Sequence, residues 1–532
     1  MPSRNLNNML CLLILAASTL TFLMVPAAGA ERPNIVCILA DDLGYGDISA
    51  LNPDSKIRTP NVDALAEEGI SFTDAHSGSA VCTPTRYGVL TGRYAWRTHL
   101  KSGVLGGYSP PLIAPDRLTV ASFLKQRGYQ TACIGKWHLG MDWPGSDGRP
   151  VTDRVESNDD KGLVDFRRPI HNGPTAVGFD YYWGISASLD MPPYAWIEND
   201  RTVGIPSETK GFVTAPGSLV EYLGLDGKGR RGLAHPDFKL AAVLPTLAQK
   251  TAEYIERAAK KSEPFFVYMP LNSPHTPLSP SKSFLGRSGL NAYGDFMLET
   301  DWAVGHVLMT LERLGLADDT LVIFTSDNGC SPRADFPGLA KLGHNPSHIF
   351  RGHKADIFEG GHRIPFVARW PGRIEAGTTS ADVICLTDLL ATVADILGER
   401  LPAGAGEDSV SILPVLLGRA KAPVREATVH HSINGSFAIR QGKWKLALCP
   451  DSGGWSAPRP GRDEVAGLPP IQLYDLESDI GEQRNVHDAH PDVVERLTAL
   501  LRRYADEGRS TPGAARKNDT PVDIRAPGNR AR

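Results

Sequence analysis

Short apolar runs alternate with longer amphipathic segments as far as about residue 419. The run 34–40 (NIVCILA) is apolar and contains β-branched residues, which is typical of a strand buried on both faces of a sheet. Runs of the same kind occupy 129–134, 264–269, 321–325 and 366–370. Because buried strands that alternate with helices form parallel sheets covered on both sides, the pattern predicts an α/β fold. Its expected core is a large, mostly parallel sheet sandwiched by helices.

Helical patterns fill the intervals between these runs. They predict helices over 61–69, 119–127, 245–260, 296–314 and 388–397. In the first of these, Val62, Leu65 and Ile70 fall on one side, and Asn61 after Pro60 is the predicted N-cap.

The pattern changes in the last quarter of the chain. Short runs at 436–440, 444–448 and 472–474, separated by turn residues, predict an antiparallel sheet with a helix over 491–507 packed on it. We therefore expect a large domain over 31–420 and a smaller C-terminal α+β subdomain over 421–512. Gly, Pro, Ala and Arg dominate the end of the chain, so residues 513–532 are expected to form a disordered tail.

The first thirty residues carry the pattern of an export signal. Arg4 precedes an uncharged apolar run over 9–24, and the small residues Ala28, Gly29 and Ala30 form an expected cleavage site. A membrane anchor is the alternative, but the run is shorter than the roughly 20 residues that span a bilayer. We expect residues 1–30 to be a signal peptide and the protein to be periplasmic or secreted, with no membrane association after cleavage.

Composition and cysteine spacing exclude several classes of protein. The 532 residues have a formal net charge of −4, which argues against nucleic acid as the main partner. The seven cysteines are scattered and show no paired zinc spacing. Cys37 and Cys133 lie within predicted strands and are expected core residues, so we expect no disulfide framework.

Polar side chains follow four of the predicted strands at the point where each strand ends. They are Asp41 and Asp42, then Lys136 and His138, then His275, and finally Asp327 and Asn328. Ligands of open α/β sheets bind outside the carboxyl ends of the strands. These residues are therefore expected to converge on one site.

The acidic members of this set indicate a metal ion. Any one aspartate could be a strand-end cap or a turn former, but three buried carboxylates would repel one another without a cation. The ligands Asp41, Asp42, Asp327 and Asn328 offer oxygen only, which suits calcium or magnesium and does not suit zinc.

The segment Cys82-Thr83-Pro84-Thr85-Arg86, followed by Thr91-Gly92-Arg93, predicts an anion-binding nucleophile. If a helix begins here, its free N–H groups favour an anion next to Cys82. Arg86, one turn further on, could then grip a tetrahedral oxyanion through two hydrogen bonds. The alternative is an ordinary buried cysteine or an idle thiol.

Two long polar excursions interrupt the large domain. The first, 141–174, is unusually long for a structureless segment, which indicates a functional or disordered loop. Arg167, Arg168 and His171 could contact an anionic substrate there, or could simply form a solvated charged surface. The second, 204–234, is rich in glycine.

The Cys82 segment resembles the signature of the type I, formylglycine-dependent sulfatases of the alkaline phosphatase superfamily. Cysteine, proline and arginine match, and Thr85 stands where Ser or Ala is usual. Asp-Asp-Leu-Gly-Tyr-Gly-Asp after the first strand and Ser326-Asp327-Asn328-Gly329 resemble the two metal segments of the family. Further matches are Gly135-Lys136-Trp137-His138-Leu139-Gly140, the histidine block Ser273-Pro274-His275-Thr276-Pro277, and His353-Lys354 before Glu359-Gly360-Gly361. The C-terminal segments around 438–446 and 473–476 extend the resemblance to about residues 32–512.

The resemblance implies an arylsulfatase-like enzyme that cleaves sulfate monoesters. Export and the elaborated pocket make a sulfated carbohydrate the expected substrate. The resemblance implies conversion of Cys82 to formylglycine by a maturase, and Ca²⁺, rather than Mg²⁺, held by Asp41, Asp42, Asp327 and Asn328 together with residue 82. Arg86, Lys136 and Lys354 are then expected to stabilise the sulfate oxygens, and His138 to pair with the hydrated aldehyde. His275 is the expected acid for the leaving oxygen, with Lys354 as a second candidate, and Ser188 is a looser match to a substrate contact.

Two alternatives stay open at this point. One is a phosphomonoester or phosphonate hydrolase of the same superfamily, because phosphate is also a tetrahedral anion. The other is a non-catalytic protein that binds sulfated glycans on the same fold.

Overall fold

The computed structural model describes residues 32–151, 162–213, 217, 221–223 and 230–525. The expected signal peptide, residues 1–30, lies outside these residues, as do parts of both polar excursions and residues 526–532.

The described chain contains nineteen strands and ten α-helices, numbered here in chain order. The strands are β1 (Asn34–Asp41), β2 (Ile70–Phe72), β3 (Ala75–His76), β4 (Gln130–Lys136), β5 (Tyr181–Ile185), β6 (Ile197–Glu198), β7 (Arg201–Thr202), β8 (Glu208–Val213), β9 (Glu221–Leu223), β10 (Arg230–Ala234), β11 (Phe265–Pro274), β12 (Thr320–Ser326), β13 (Phe366–Arg369), β14 (Thr378–Ser380), β15 (Ile384–Cys385), β16 (Thr428–His431), β17 (Phe437–Gln441), β18 (Trp444–Ala447) and β19 (Gln472–Asp475). The helices are α1 (Pro60–Glu67), α2 (Cys82–Thr91), α3 (Val120–Lys125), α4 (Val243–Ala258), α5 (Ala292–Arg313), α6 (Phe336–Lys341), α7 (Glu359–His362), α8 (Leu389–Ile396), α9 (Leu413–Leu416) and α10 (Pro491–Asp506).

A ten-stranded mixed sheet forms the centre of the fold, in the order β14-β2-β13-β12-β1-β11-β4-β5-β6-β7. Its five central strands, from β12 to β5, are mutually parallel, and antiparallel strands flank them on both sides. The predicted fold class is confirmed. The four strands whose ends carry the candidate residues, β12, β1, β11 and β4, are immediate neighbours, so their carboxyl ends meet at one edge.

Alternating residues of these strands feed two hydrophobic cores, one on each face of the sheet. Ile35, Cys37 and Leu39 of β1 pack on one face with residues of α2, α3 and α8. Val36 and Ile38 pack on the other face with residues of α1, α4 and α5. Burial on both faces explains why these strands are apolar without alternation.

Several element boundaries differ from the prediction by a few residues, and the contacts explain two of these differences. Helix α1 begins at Pro60 with Thr59 as the N-cap residue, two residues before the predicted N-cap, Asn61. The Asp301 carboxylate accepts hydrogen bonds from the backbone N–H groups of Asn61 and Val62, so a distant side chain satisfies this helix start. Strand β11 continues to Pro274, five residues past its apolar run, because its polar end still pairs with β1 at Asp41.

A separate four-stranded antiparallel sheet, in the order β16-β17-β18-β19, follows the main sheet in sequence. Residues of α10, among them Leu497 and Leu501, share a core with Val429 and Ile439 of this sheet. Three of its strands were predicted, and β16 was not. In the part of the chain that is described, no helix is both long and apolar enough to cross a bilayer.

The tail differs from the expected disorder over its described part, 513–525. Asp519 pairs with the buried guanidinium of Arg93 at 2.9 Å, and Thr520 donates a hydrogen bond to the carbonyl of Thr98. Asn518 accepts a hydrogen bond from Arg97 at 3.0 Å. The composition gave no sign of these contacts, because each depends on a residue more than four hundred positions earlier.

Candidate active site

Helix α2 places Cys82 at its first residue, as the sequence predicted, and ends before Gly92 in the left-handed conformation. Thr85 donates a hydrogen bond of 3.0 Å to the carbonyl of Ser79. Because serine and threonine both carry this hydroxyl, threonine at position 85 keeps the contact. The start of α2 is therefore fixed by a residue of the motif itself.

The Cys82 sulfur lies inside the cluster formed by the strand ends. Sγ is 3.5 Å from Asp41 Oδ1, 4.0 Å from Asp42 Oδ1 and 3.6 Å from Lys354 Nζ. Burial raises the pKa of the Cys82 thiol, although the nearby lysines oppose this shift. The unmodified side chain is thus held as a neutral thiol and is a poor nucleophile.

The four predicted metal ligands converge beside this thiol. Asn328 donates a hydrogen bond of 2.8 Å from its amide nitrogen to Asp42 Oδ1, and Asp327 accepts one of 3.2 Å from the backbone of Asp42. The amide oxygen of Asn328 is buried without a hydrogen-bond partner among the described residues. One unsatisfied oxygen next to three carboxylates fits a hard cation such as Ca²⁺ or Mg²⁺.

Each carboxylate of the cluster also has a cationic partner. Lys136 Nζ lies 2.6 Å from Asp41, Lys354 Nζ lies 2.7 Å from Asp42, and Arg86 lies 2.8 Å from Asp327. Three acidic and three basic side chains give a formal charge of zero. A bound divalent cation would leave the cluster with a charge of about +2, which favours an anionic substrate.

Arg86 has partners that differ from the expectation. Its Nε and one Nη donate to the same oxygen of Asp327, at 3.0 and 2.8 Å, and the other Nη donates to the carbonyl of Lys136 at 3.0 Å. All of its donor nitrogens are therefore engaged with protein acceptors. The spacing of the motif located Arg86 correctly but did not reveal which acceptor it holds.

The pKa values of Asp41 and Asp327 are shifted by burial and by the charged side chains around them. Burial would raise the pKa of Asp41, but the charges of Lys136, His275, Arg86 and Lys354 hold that pKa well below its usual range. The pKa of Asp327 is raised by burial and by the neighbouring Asp41 carboxylate, which Arg86 only partly offsets. Such repulsion between buried carboxylates is what a bound cation relieves.

His138 is fixed in one tautomer. Its Nε2 lies 2.7 Å from the carbonyl oxygen of Leu105, which can only accept, so Nε2 carries the proton. Nδ1 is buried without a partner in the described chain and keeps its lone pair. Burial, together with the charges of Lys136 and Arg86, places the pKa of His138 well below its ordinary value. His138 is therefore a neutral acceptor.

His275 lies at the end of β11, with Nε2 3.6 Å from Asp42 Oδ2. Its Nδ1 donates to the carbonyl of Thr276. Burial lowers the pKa of His275, whereas Asp42 opposes that shift. The pKa of Lys354 shifts in the opposite direction, because the Asp42 carboxylate raises the pKa of the ammonium group despite its burial.

Sequence reasoning missed Asp47 as a supporting residue. Its carboxylate accepts hydrogen bonds from Gly44 N at 2.8 Å and from His344 Nε2 at 2.9 Å, and it also accepts one from the Tyr293 hydroxyl. These bonds hold the loop that follows Asp41 and Asp42. The signal was present, because Asp47 is the last residue of the Asp-Asp-Leu-Gly-Tyr-Gly-Asp segment.

The weaker candidates of the sequence analysis differ in their burial. Ser188 is buried and its hydroxyl has no partner in the described part of the chain, as expected of a group that awaits a ligand. Arg167 and Arg168 are exposed, and Arg167 pairs with Asp165 at 2.8 Å. His171 is exposed and its backbone pairs with Asp142. Among the contacts of the described residues, none joins Arg167, Arg168 or His171 to the acidic cluster, which comprises Asp41, Asp42, Asp327 and Asn328.

Comparisons with known proteins agree with this geometry. The family model described as Sulfatase matches residues 33–399. An N-acetylgalactosamine-6-O-sulfatase of Bacteroides thetaiotaomicron is 34% identical over 507 residues, which cover 89% of this chain and 93% of the relative. Arylsulfatase A of Bos taurus is 33% identical over 497 residues, which cover 89% of this chain and 87% of the relative.

A solved structure from work on glycosaminoglycan metabolism by Bacteroides thetaiotaomicron has the same fold. It aligns with a TM-score of 0.77 at 33% identity, and the alignment covers 89% of this chain and 99% of that chain. The chain therefore belongs to the sulfatase family, and it is a type I sulfatase of the alkaline phosphatase superfamily, a sulfuric ester hydrolase.

Proposed function

We propose that this sulfatase removes sulfate from a sulfated carbohydrate, with formylglycine at position 82 and Ca²⁺ bound by the acidic cluster. The observation that carries the proposal is the placement of Cys82. A neutral, buried thiol at the start of α2 lies 3.5 Å from Asp41, inside a charge-balanced cluster of carboxylates and cations. This placement, at a helix start and between candidate metal ligands and cations, supports a nucleophile derived from residue 82.

The substrate class rests on the relatives. The 34% identical relative is named as a sulfatase for the 6-O-sulfate of N-acetylgalactosamine, and the alignment covers most of both chains. We infer that the substrate of this protein is also a sulfated sugar, and that simple aryl sulfates serve as surrogates.

The residues that would hold the metal are Asp41, Asp42, Asp327 and Asn328, together with residue 82. The unsatisfied amide oxygen of Asn328 and the all-oxygen donor set of the four strand-end residues favour calcium over magnesium, because Ca²⁺ accepts more protein oxygens in less regular geometry. When bound, a divalent cation lowers the pKa of an attacking hydroxyl and neutralises charge on a sulfate oxygen.

Formylglycine supplies the nucleophile. Once hydrated, its aldehyde would offer two hydroxyls: one would attack sulfur in line while the ester S–O bond breaks and the alcohol leaves, and loss of the proton of the other would re-form the aldehyde and release sulfate. Conversion of Cys82 to the aldehyde requires oxidation by a maturase, which is a partner that this proposal includes.

The side chains around residue 82 would stabilise charge on the sulfate group and transfer the protons. Lys136 and Lys354 stabilise negative charge on the non-bridging oxygens of sulfate, and Arg86 keeps Asp327 in place. His138, whose Nδ1 is free to accept, takes the proton of the second hydroxyl. His275 or Lys354 gives a proton to the leaving oxygen, and the Asp42 carboxylate raises the pKa of Lys354, whereas burial lowers the pKa of His275.

We also propose that the protein is exported, on the basis of the apolar run and the cleavage pattern in residues 1–30. Export agrees with a substrate that is an extracellular polysaccharide or glycan.

The experiment that tests the proposal has two parts. Mass spectrometry of the peptide that contains residue 82, on protein from a host with the maturase, should show the mass of an aldehyde in place of a thiol. Hydrolysis of 4-nitrophenyl sulfate should then exceed hydrolysis of 4-nitrophenyl phosphate, and Cys82→Ala should abolish it. Normal turnover by Cys82→Ala would overturn the mechanism. A fully converted protein that binds sulfated sugars without cleaving them would favour the non-catalytic alternative.

A further inference from the structure

Within the buried cluster of strand-end residues, Cys82 and the cations, exposure to solvent is greatest at Lys354 and His275. Cys82, Asp41, Arg86 and Lys136 are at most 2% exposed, whereas Lys354 is 6% exposed and His275 is 7% exposed. These two residues are also the candidates for protonating the leaving oxygen. We therefore expect the sugar that carries the sulfate to approach from the side of Lys354 and His275.

A loop of the C-terminal sheet reaches this surface. It comprises residues 448–471, which connect β18 to β19, and it folds back onto the segment that carries Lys354. The Asp356 carboxylate joins the two segments: one oxygen accepts the backbone N–H groups of Trp455 and Ser456, at 2.7 and 3.0 Å. The other oxygen accepts the backbone N–H of His353, at 2.9 Å. The backbone N–H groups of Trp455 and of His353, which precedes Lys354, thus donate to the same carboxylate.

Close backbone packing keeps this loop in place. A Cβ atom on Gly454 would lie 2.4 Å from an oxygen of Asp356 and 2.5 Å from the carbonyl oxygen of Ala355. Only glycine fits there, so residue 454 lets the loop approach the Lys354 segment. Ser452 strengthens the join, because its carbonyl accepts a hydrogen bond of 2.7 Å from Ile357.

Trp455, the next residue, leaves its side chain in solvent. It is 40% exposed, and it is the single aromatic residue among the exposed large hydrophobic side chains of the described chain. An exposed indole on an anchored loop beside a binding site is an apolar surface that a ligand can cover. The C–H faces of a pyranose ring are apolar and flat enough to stack on such a surface.

We propose that Trp455 is the platform for the pyranose ring that carries the scissile sulfate group, so that the C-terminal sheet supplies a substrate-binding residue of this enzyme. This inference rests on the proposed function, because it requires a sulfated sugar as substrate. It assigns Trp455 to recognition of the sugar, whereas the lysines and the strand ends recognise the sulfate.

The test compares three variants of the full chain. Trp455→Ala removes the platform, Trp455→Phe retains an aromatic surface, and Met309→Ala is the matched control. Met309 is 59% exposed near the C-terminal end of α5, which leads to the start of β12 at the opposite edge of the sheet from the site. The backbone N–H groups that anchor the loop remain in every variant.

The substrates are the 6-sulfates of N-acetylgalactosamine, N-acetylglucosamine, galactose and glucose. With the sugar that the wild type prefers, Trp455→Ala should raise KM about tenfold and leave kcat nearly unchanged. Trp455→Phe should recover most of the affinity, and Met309→Ala should resemble the wild type. Inhibition by inorganic sulfate, which occupies only the anion site, should be the same in all four proteins.

The outcomes separate the two proposals. A wild type that hydrolyses 4-nitrophenyl sulfate but none of the four sugar sulfates would overturn the carbohydrate substrate and this inference with it. A wild type that cleaves a sugar sulfate, with an unchanged KM in Trp455→Ala, would overturn the role of Trp455 alone. Weaker inhibition by inorganic sulfate in Trp455→Ala would also contradict it, because the damage would then extend to the anion site.

Discussion

Arg86 donates two hydrogen bonds, 3.0 and 2.8 Å long, to the same carboxylate oxygen of Asp327. Arg86, which follows Cys82 by four positions on α2, therefore orients a candidate metal ligand. Groups that orient a metal ligand typically contribute a factor of about 10–100 to metal affinity.

We expect Arg86→Lys to weaken calcium binding by about 10–100-fold, because lysine cannot form the paired hydrogen bonds. Isothermal titration of Ca²⁺ into EGTA-treated protein measures the affinity directly. Arg127→Lys is the matched control, since Arg127 pairs with Glu399 near the surface. An unchanged affinity in Arg86→Lys would show that the Arg86–Asp327 pair does not support the metal.

Lys136→Ala should lower kcat by about 10²–10³, the usual cost of one lost oxyanion donor. The Lys136 ammonium lies 2.6 Å from Asp41 and is fully buried, so the substitution removes a fixed positive charge from the site. Steady-state hydrolysis of 4-nitrophenyl sulfate gives the comparison, with Lys125→Ala as the control because the Lys125–Asp180 pair is exposed. A kcat near that of the wild type would remove Lys136 from the proposed mechanism.

Removal of calcium should reduce both activity and stability. A ligand that binds only the folded protein stabilises it by about 2.7 kcal/mol at one hundred times its Kd. We therefore expect Tm to fall when EGTA is added, and to recover with Ca²⁺ more fully than with Mg²⁺. Asn328→Leu should lose most of this calcium-dependent shift, since it removes the amide oxygen that is buried without a partner. An EGTA-treated wild type with unchanged Tm and full activity would contradict a calcium site.

Stability should fall as the pH is lowered from about 6.5 to about 4. Burial lowers the pKa of His431 from 6.5 to about 4, and the nearby Lys101 acts in the same direction. The unfolded chain then takes up a proton in this range before the folded chain does, which favours unfolding at low pH. At pH 5 the expected contribution is about 2 kcal/mol.

Urea unfolding at pH 7 and pH 5 measures this effect. His431→Gln should show a smaller loss of stability between the two pH values than the wild type shows. His99→Gln, at an exposed position, should behave as the wild type. Equal pH dependence in His431→Gln and the wild type would show that His431 does not contribute.

The sequence predicted those elements whose burial shows in the local pattern of apolar and polar residues. The central strands are continuous apolar runs because both faces of the sheet are covered, and their ends were recognisable by the polar residues that follow. Strand β16 was missed because its two histidines, His430 and His431, look like surface residues. Both are buried, and the ring of His430 stacks on that of His362 with centroids 3.8 Å apart.

Relationships between distant residues were harder to predict. The spacing of the cysteine motif places Arg86 on α2, but it does not reveal Asp327 as the acceptor, 241 positions away. In the same way, nothing near Asn61 indicates that Asp301 satisfies the start of α1. The anchored loop around Trp455 depends on Asp356, about one hundred positions earlier in the chain.

The last described residues have a consequence for synthesis of the protein. Just beyond the catalytic helix, Arg93 pairs with Asp519, 426 positions later, and Arg97 pairs with Asp408 and Asn518. Buried guanidinium groups without partners are strongly unfavourable. A ribosome makes about 5–20 residues per second, so the segment around Cys82 must wait tens of seconds for these partners. We therefore expect the contacts that surround the end of α2 to be completed only after residues 407–519 have been synthesised.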